Sequence, residues 1–510
     1  MEPDLKLSDR LLSWVDNHRR WLFLAVFLIY AAGFNGRWRL EPDTALYATI
    51  GRYVAEGRGY THPMGAQAPI NPGLPLIFAV NFLIHGYETV WFACAVMWLM
   101  AMLGLGLVYR LFLMYCGRPT AVLLTLMVAS AKYFCLYAFE LLTDMPFFVG
   151  LWLFLNGYEG VQRKSCKLWV SFFLAVLGVL VMALFRSVVV IVFVAGGAAA
   201  VWKFLRGPDR TRFALLIITA LVCLFAVRSL DPRLRSALEQ VPDERLAMGY
   251  VSNLGKTLHR ALTINVPMFF QDRAPTAFFG IQLAPGTNSL ATIVVIGLGV
   301  GLMAYNLLWG LLVLAFVLQW LVFLPDVRYF LPIMPLLICG WWRGALWCER
   351  HLPARWSGRA LAVMLSLALV PNLIRVGDLI ILKQRRTPFL KFHEHGRYNG
   401  VPDLARSLRE NTPTNALVLI EEDKIVQPLI FYSDRRVAST RRIPQNLLKE
   451  SHLYVVGPVG DGFRKTLKSK RLTLGEELTT IPREDQPAWQ LYPAVITPAP
   501  PVGAAKPPGS

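Results

Sequence analysis

Four places in this 510-residue chain put ionisable side chains where apolar sequence meets polar sequence. Glu41 and Asp43 flank Pro42 just after the first apolar run. Glu140 and Asp144 follow the third. Arg186 stands at a break between two apolar runs, and Arg328 ends the short turn Pro325-Asp326-Val327-Arg328. A carboxylate can take the proton of an attacking hydroxyl. A guanidinium can hold phosphate oxygens and stabilise the charge of a departing phosphate. Carboxylates beside fixed guanidinium groups at a bilayer surface therefore suit transfer away from a lipid phosphate. Asp43 is the candidate base. With an anionic acceptor no base is needed, and Asp43 would orient the acceptor or balance its charge. Arg186 and Arg328 are the candidates for the phosphate. Lys132 and Arg52 could also reach it, although Arg52 could equally snorkel. Glu140 and Asp144 are four residues apart, so on one helix both would share a face and shape the pocket. The plainer reading makes each group a cap or an interfacial anchor, with Asp43 capping a helix that starts at Thr44. Against it stands the expense of ionisable groups at this depth.

Positioning these groups requires membrane helices. The chain is 55% hydrophobic and 17% charged, with mean hydropathy +0.45, too apolar for a soluble protein of this length. Repeated apolar runs of about 18–22 residues identify a multi-pass, helical membrane protein. After a polar N-terminus (1–20), the expected spans are 21–34, 89–112, 120–137, 145–158, 168–185, 187–202 and 213–227. Two more are packed into 290–324, turning near Tyr305-Asn306, and the last are 329–347 and 361–381. The first loop, about 36–88, should carry an amphipathic helix with Leu46, Ile50, Tyr53 and Val54 on one face, stopped by Gly57 and Gly59. Asn71-Pro72-Gly73-Leu74-Pro75 then turns the chain into an apolar stretch, 72–85, expected to be partly buried rather than to cross. A long polar loop occupies about 228–289. Residues 382–492 read as a small α/β domain: a helix over 401–410, with strands at 416–420, 429–432 and 453–456. The Pro/Ala/Gly-rich tail, 493–510, is expected to be disordered.

Charge orients the scheme. With the N-terminus in the cytoplasm and about eleven crossings, every basic loop (19–20, 110–118, 163–167, 203–212, 349–359) falls inside, as the positive-inside bias requires. Every acid or lone arginine named above falls outside, as does the C-terminal domain. This puts the active face on the extracytoplasmic side, and the expected location is a plasma membrane, of the bacterial inner type. The net charge of +19 is then explained by membrane lipid, not nucleic acid. The seven cysteines lie in or beside apolar runs without a CxxC, and read as small buried hydrophobes. No histidine pair has ligand spacing on a helix, and His393 and His395 sit in a basic loop.

Four passages carry a family likeness. Pro42-Asp43-Thr44-Ala45-Leu46-Tyr47, Asn71-Pro72-Gly73-Leu74-Pro75-Leu76, Phe139-Glu140-Leu141-Leu142-Thr143-Asp144-Met145-Pro146 and Arg328-Tyr329-Phe330-Leu331-Pro332 occur in this order across most of residues 20–345. Together they resemble the C-type (GT-C) glycosyltransferase superfamily, in particular the group around protein O-mannosyltransferases and bacterial aminoarabinose transferases. Ser433-Asp434-Arg435 lies in a module similar to the tail domain of many bacterial members. The resemblance implies an inverting transfer of a sugar from a polyprenyl-phosphate donor to a lipid, glycan or protein acceptor. It puts Asp43 in the catalytic position, and with the residue chemistry above the expected substrate-binding set is Glu41, Tyr47, Glu140, Asp144, Arg186, Arg328 and Tyr329. Two departures stand out. Many members carry Glu where this chain has Thr44, and Pro where it has Asn71.

No cofactor is required by this reading. A Mg²⁺ or Mn²⁺ held by Asp43, Glu140 and Asp144 is an option left open by their oxygen ligands. A lipid or glycolipid transporter without transferase activity is the rival class. Polar residues inside spans would favour it, and few stand out, Lys132 and, near the end of a span, Gln319; no convincing inverted repeat is seen.

Overall fold

A computed structural model describes residues 6–36, 41–62, 70–87, 89–164, 167–206, 210–211, 213–214, 216–217, 258–322, 326–385, 400–440, 452–457, 472–481 and 488–496. The described residues fall into two compact units. One comprises Met1–Gly36, Pro69–Leu74 and Trp91–Arg385, the other Arg37–Ala68, Pro75–Val90 and Arg386–Ser510.

The first unit is a helical bundle: α1 (Leu7–Gly33), α4 (Trp91–Leu113), α5 (Arg118–Ser130), α6 (Lys132–Ala138), α7 (Asp144–Arg163), α8 (Leu168–Phe185), α9 (Val189–Arg206), α10 (Pro285–Gly301), α11 (Leu307–Val322), α12 (Met334–His351) and α13 (Ala354–Arg385). Six described helical spans are long and apolar enough to cross a membrane, or seven if the bent pair α5/α6 counts as one span. Each expected span coincides with a described helix except 213–227, which lies largely outside the described residues. The third span is broken: α5 and α6 meet at 68°, with Ala131 extended between them. The break frees a backbone N–H in apolar surroundings, and the buried Asn372 of α13 accepts it from Lys132 at 2.9 Å. The first span is longer than expected, because the polar residues from Leu7 onward continue the same helix.

Helix ends gather at two ends of the bundle. At one, Tyr115 and Asn306 both donate to the buried Glu159, Asn306 at 2.7 Å, and Tyr305 Oη donates to the carbonyl of Tyr115 at 3.0 Å. The backbone of Ser8 donates to Glu349 at 3.0 Å. Exposed Trp169, Trp202, Trp347 and Trp356 mark the helix termini on this side, the signature of an interfacial belt. The opposite end carries the Asp144, Arg186 and Arg328 junctions.

The second unit holds α2 (Pro42–Ala55), most of α3 (Gly73–His85), α14 (Val401–Asn411), α15 (Val426–Ser433) and a sheet of six described strands. The sheet order is β2 (Arg436–Ser439), β1 (Leu417–Ile420), β3 (Leu453–Gly457), β6 (Trp489–Ile496), β4 (Leu472–Leu474), with β5 (Thr479–Ile481) also on β6. β1 is parallel to β2 and β3; β6 is antiparallel to its neighbours. The parallel β1–α15–β2 crossover explains one difference from the sequence reading. Residues 429–432 form a helix, because a parallel pair needs a connection that crosses the sheet face. β6 also runs through Pro493 to Ile496, so the expected tail begins later; 497–510 lie outside the described residues.

Packing of α2 differs from the expected stripe. Ala45, Ala48, Thr49, Ile50 and Tyr53 are buried, whereas Leu46 and Val54 are half-buried. The cause is Gly51. A Cβ there would lie 2.5 Å from that of Phe78 and 2.6 Å from the carbonyl oxygen of Pro75, so α3 lies directly against the glycine face of α2.

Candidate active site

In the bundle, α7 begins at Asp144 because Pro146 has no N–H to return to Leu142, so no helix can be hydrogen-bonded through that point. Glu140 consequently lies in the turn before the helix, and the expected shared helix face is not formed. Both carboxylates are nonetheless buried, Glu140 at 3% and Asp144 at 1% exposure. Both oxygens of Glu140 and Oδ2 of Asp144 have no hydrogen-bond partner among the described residues. Buried, acceptor-only oxygens of this kind are costly unless something donates to them.

Oδ1 of Asp144 accepts from Arg186 Nη1. Arg186 is extended, between α8 and α9, where the backbone can aim its side chain across the bundle. Its guanidinium lies 4.6 Å from the ring centre of Tyr329, and that of Arg328 lies 5.2 Å from the same ring. Tyr329 thus sits against two guanidinium groups, which the ring quadrupole helps to tolerate side by side. Arg328 is held by Asp326, which caps the 3₁₀ turn Val327–Ile333: the backbone of Arg328 donates to Oδ1 at 3.1 Å, and Nε lies 3.3 Å from Oδ2. Tyr137 of α6 is buried beside the group, with Asp144, Asp326 and Arg328 as charged neighbours. Tyr133 has Arg273, Asp272 and Asp326 as its neighbours, and Lys132 Nζ lies 5.0 Å from its ring centre.

The structure therefore brings together Asp144, Arg186, Arg328 and Tyr329 from three separate stretches. Sequence reading missed Tyr137 and Asp326, as well as Asp272 and Arg273, which lie on a helical stretch, Phe269–Arg273, inside the expected polar loop. Tyr137 was the last residue of an expected span, with no signal to separate it from an interfacial tyrosine.

In the second unit, Glu41 precedes α2 and makes no side-chain capping bond, Pro42 opens the helix, and Asp43 follows in its first turn. Asp43 is thus not the cap that the plainer reading made it, although the helix N-terminus still favours its charge. It is half-buried, as are Glu41 and Tyr47. Tyr47 lies near Tyr60, whose hydroxyl is pushed up chiefly by burial and then by Tyr47. Thr44 is fully buried, so a carboxylate at that position would be desolvated. Asn71, in the bundle, donates to the carbonyl of Ala183 at 2.6 Å and satisfies one of the terminal acceptors of α8.

The far end of α2 belongs to an ion-pair cluster. Arg52 neither snorkels nor waits for a phosphate: it lies 2.8 Å from Glu56 and 3.0 Å from Asp434, and donates to the carbonyl of Phe431 at 3.0 Å. Tyr53 Oη donates to Asp434 at 3.1 Å, and Arg58 lies 3.2 Å from the same carboxylate. Burial, with Asp434 next in weight, pushes the Tyr53 hydroxyl up to about 12. His62 is hydrogen-bonded to Gln427 at 3.2 Å; burial lowers its pKa. Among the described residues, no three His, Cys, Asp or Glu side chains are grouped to hold a metal ion.

The chain matches no protein-family model and no curated protein sequence. Solved structures do match its fold. ArnT from Cupriavidus metallidurans in the apo state superposes with TM-score 0.54 at 13% identity, covering 94% of this chain and 98% of that one. The same protein bound to undecaprenyl phosphate gives TM-score 0.51 at 12% identity, with the same coverage of both chains. The archaeal oligosaccharyltransferase AglB from Archaeoglobus fulgidus, in complex with an inhibitory peptide and a dolichol-phosphate, gives TM-score 0.51 at 12% identity over 86% of this chain and 69% of that one. Both are GT-C glycosyltransferases, and the fold of this chain is GT-C-like: a multi-pass helical membrane protein with a small sheet domain at its C-terminus.

Proposed function

We propose that this chain is a membrane glycosyltransferase that moves a sugar from a polyprenyl-phosphate donor to a lipid, glycan or protein acceptor on the extracytoplasmic face. The observation that carries the reading is the pair of guanidinium groups on Tyr329, beside the buried Asp144, whose second oxygen has no donor among the described residues. Arg186 and Arg328 hold the phosphate of the donor. The unpartnered oxygens of Glu140 and Asp144 accept from sugar or acceptor hydroxyls. Asp43 takes the proton of the acceptor hydroxyl as its oxygen forms the new bond to the anomeric carbon. The bond from that carbon to the phosphate oxygen breaks, the electron pair leaves with the polyprenyl phosphate, and the configuration inverts. Glu41, Tyr47 and Tyr329 line the substrate path in this scheme. The likeness to folds solved with undecaprenyl phosphate and dolichol-phosphate supports the donor class. The step as written needs no metal; a Mg²⁺ or Mn²⁺ would find its oxygen ligands in Glu140 and Asp144. The basic helix ends would face the cytoplasm of a bacterial inner membrane, and the Arg186 end the opposite side.

The test is transfer from labelled polyprenyl-phosphate hexoses and pentoses to membrane extracts, with the native chain and Asp43→Asn at equal expression. Asp43→Asn should lower transfer by about 10²–10⁴-fold, the usual contribution of a positioned general base. Full activity in that variant removes the base and moves the chemistry to an anionic acceptor. No transfer from any donor, with movement of labelled lipid between leaflets, would replace the reading with a transporter.

A further inference from the structure

At the basic end of the bundle, away from the Arg186 site, α10 and α12 enclose a groove of about 590 Å³. This is within the range of about 300–1,000 Å³ for ligand sites. Its shape comes from glycines used in two ways. A Cβ on Gly340 would lie 2.8 Å from the backbone oxygen of Leu298, so the helices touch along that line. A Cβ on Gly297 or Gly301 would meet nothing within 4 Å, so these residues form an open floor beside the contact. The walls, including Val294, Leu298 and Met364, are apolar.

The rim is cationic. Arg343, Trp347, Arg350 and His351 are spaced 0, 4, 7 and 8 along α12 and share one face. Arg343 lies 4.0 Å from the ring centre of Tyr305, which fixes its guanidinium at the rim. Neither Arg343 nor Arg350 is ion-paired with a carboxylate among the described residues. The adjacent Glu349 is buried and accepts from the Ser8 backbone instead. Arg343 and Arg350 are about 10 Å apart along the helix, within reach of one headgroup through their flexible stems. Trp347 is exposed between them, as expected of a residue at headgroup depth.

We propose that this groove is a binding site for a phospholipid with an anionic headgroup. Its phosphate lies between Arg343 and Arg350, and an acyl chain lies along the Gly297 and Gly301 floor. Guanidinium groups with no carboxylate partner among the described residues, above an apolar channel, match a lipid: a free phosphate would leave the channel empty, and a zwitterionic lipid would set its own cation against the rim. The site is independent of the sugar-transfer reading.

The experiment uses the full-length protein in detergent, titrated with phosphatidylglycerol, phosphatidylcholine or soluble glycerol phosphate. Retained lipid is read by native mass spectrometry and thermal stability by unfolding. Phosphatidylglycerol should be retained and should raise the unfolding temperature, phosphatidylcholine should do so weakly, and glycerol phosphate should do nothing. The double variant Arg343→Gln, Arg350→Gln should retain phosphatidylglycerol about 10–30-fold less well, given roughly 1 kcal/mol per basic residue at an anionic headgroup. Gly297→Leu, placed where the fold has room, should exclude the lipid while leaving the detergent-only unfolding temperature unchanged. Equal retention by the native chain and either variant would overturn the proposal. Equal retention of the two lipids would overturn its anionic specificity, and a full response to glycerol phosphate would overturn the lipid.

Discussion

The two units each build a cluster of carboxylate and guanidinium groups, and they do it differently. In the bundle, Asp144 and Arg186 form a pair with side chains 1% and 13% exposed. One oxygen of Asp144 is left over, and the buried carboxylate of Glu140 has no hydrogen-bond donor among the described residues. In the other unit, Asp434 is 34% exposed and shared by Arg52, Tyr53 and Arg58, so its charge is answered several times over. A surplus of donors at a half-exposed carboxylate is how a surface tie between α2 and α15 is made. A deficit of donors at a buried one is an unstable arrangement that a ligand would complete. On the proposed reading the first cluster serves substrate and the second serves architecture.

The largest test of that contrast is Arg186→Ala. It leaves the Asp144 charge buried without its partner, and breaking a buried pair in this way costs about 3–5 kcal/mol. Transfer should be lost, and the unfolding transition of purified protein should fall well below that of the native chain. Arg186→Lys should keep the charge and most of the stability but not the fork that holds a phosphate, so donor KM should rise. Native-like unfolding of Arg186→Ala would show that the pair is not buried as described.

Asp434→Ala should have a smaller effect. Removing an exposed ion pair costs about 0–1 kcal/mol after screening. Asp434 also has φ +53°, a left-handed conformation that costs an alanine roughly 1–2 kcal/mol. Asp434→Asn keeps that conformation and one acceptor oxygen but loses the charge and the second acceptor, so it should lie between alanine and native in thermal unfolding. If the asparagine variant is as destabilised as the alanine one, charge rather than backbone holds the tie.

The smallest effect is in pH dependence. Burial lowers the pKa of His62 from 6.5, so the folded state binds its proton less readily than the unfolded state. Stability is therefore full above the unfolded pKa and declines as pH falls through 6.5 toward the folded value. His62→Gln should flatten that slope in unfolding measured across this window. An unchanged slope would assign it to other groups.

The spans were legible because hydropathy alone requires them, and the break at Arg186 was legible because a charge interrupts an apolar run. The Arg328-Tyr329 segment was legible as a motif, but its relation to Arg186 was not. Nothing in residues 186 and 329 says that both guanidinium groups meet one ring. Arg52 is the clearest failure. An arginine near a helix end has the same local signature whether it snorkels, binds phosphate or pairs with a carboxylate, and its partner Asp434 lies 382 residues away. The helix at Val426–Ser433 was misread as a strand because a short apolar run has no period to decide it.

Local sequence was enough to show a multi-pass helical membrane protein and which stretches form its apolar helices. Those properties follow from transfer energies summed over local windows, and local composition is enough to set them. Only the tertiary structure decided which ionisable groups are satisfied and which are left waiting. Satisfaction depends on angstrom-scale distances between residues far apart in the chain, such as Asp144 and Arg186 or Asp434 and Arg52, and no local property of either partner encodes that distance.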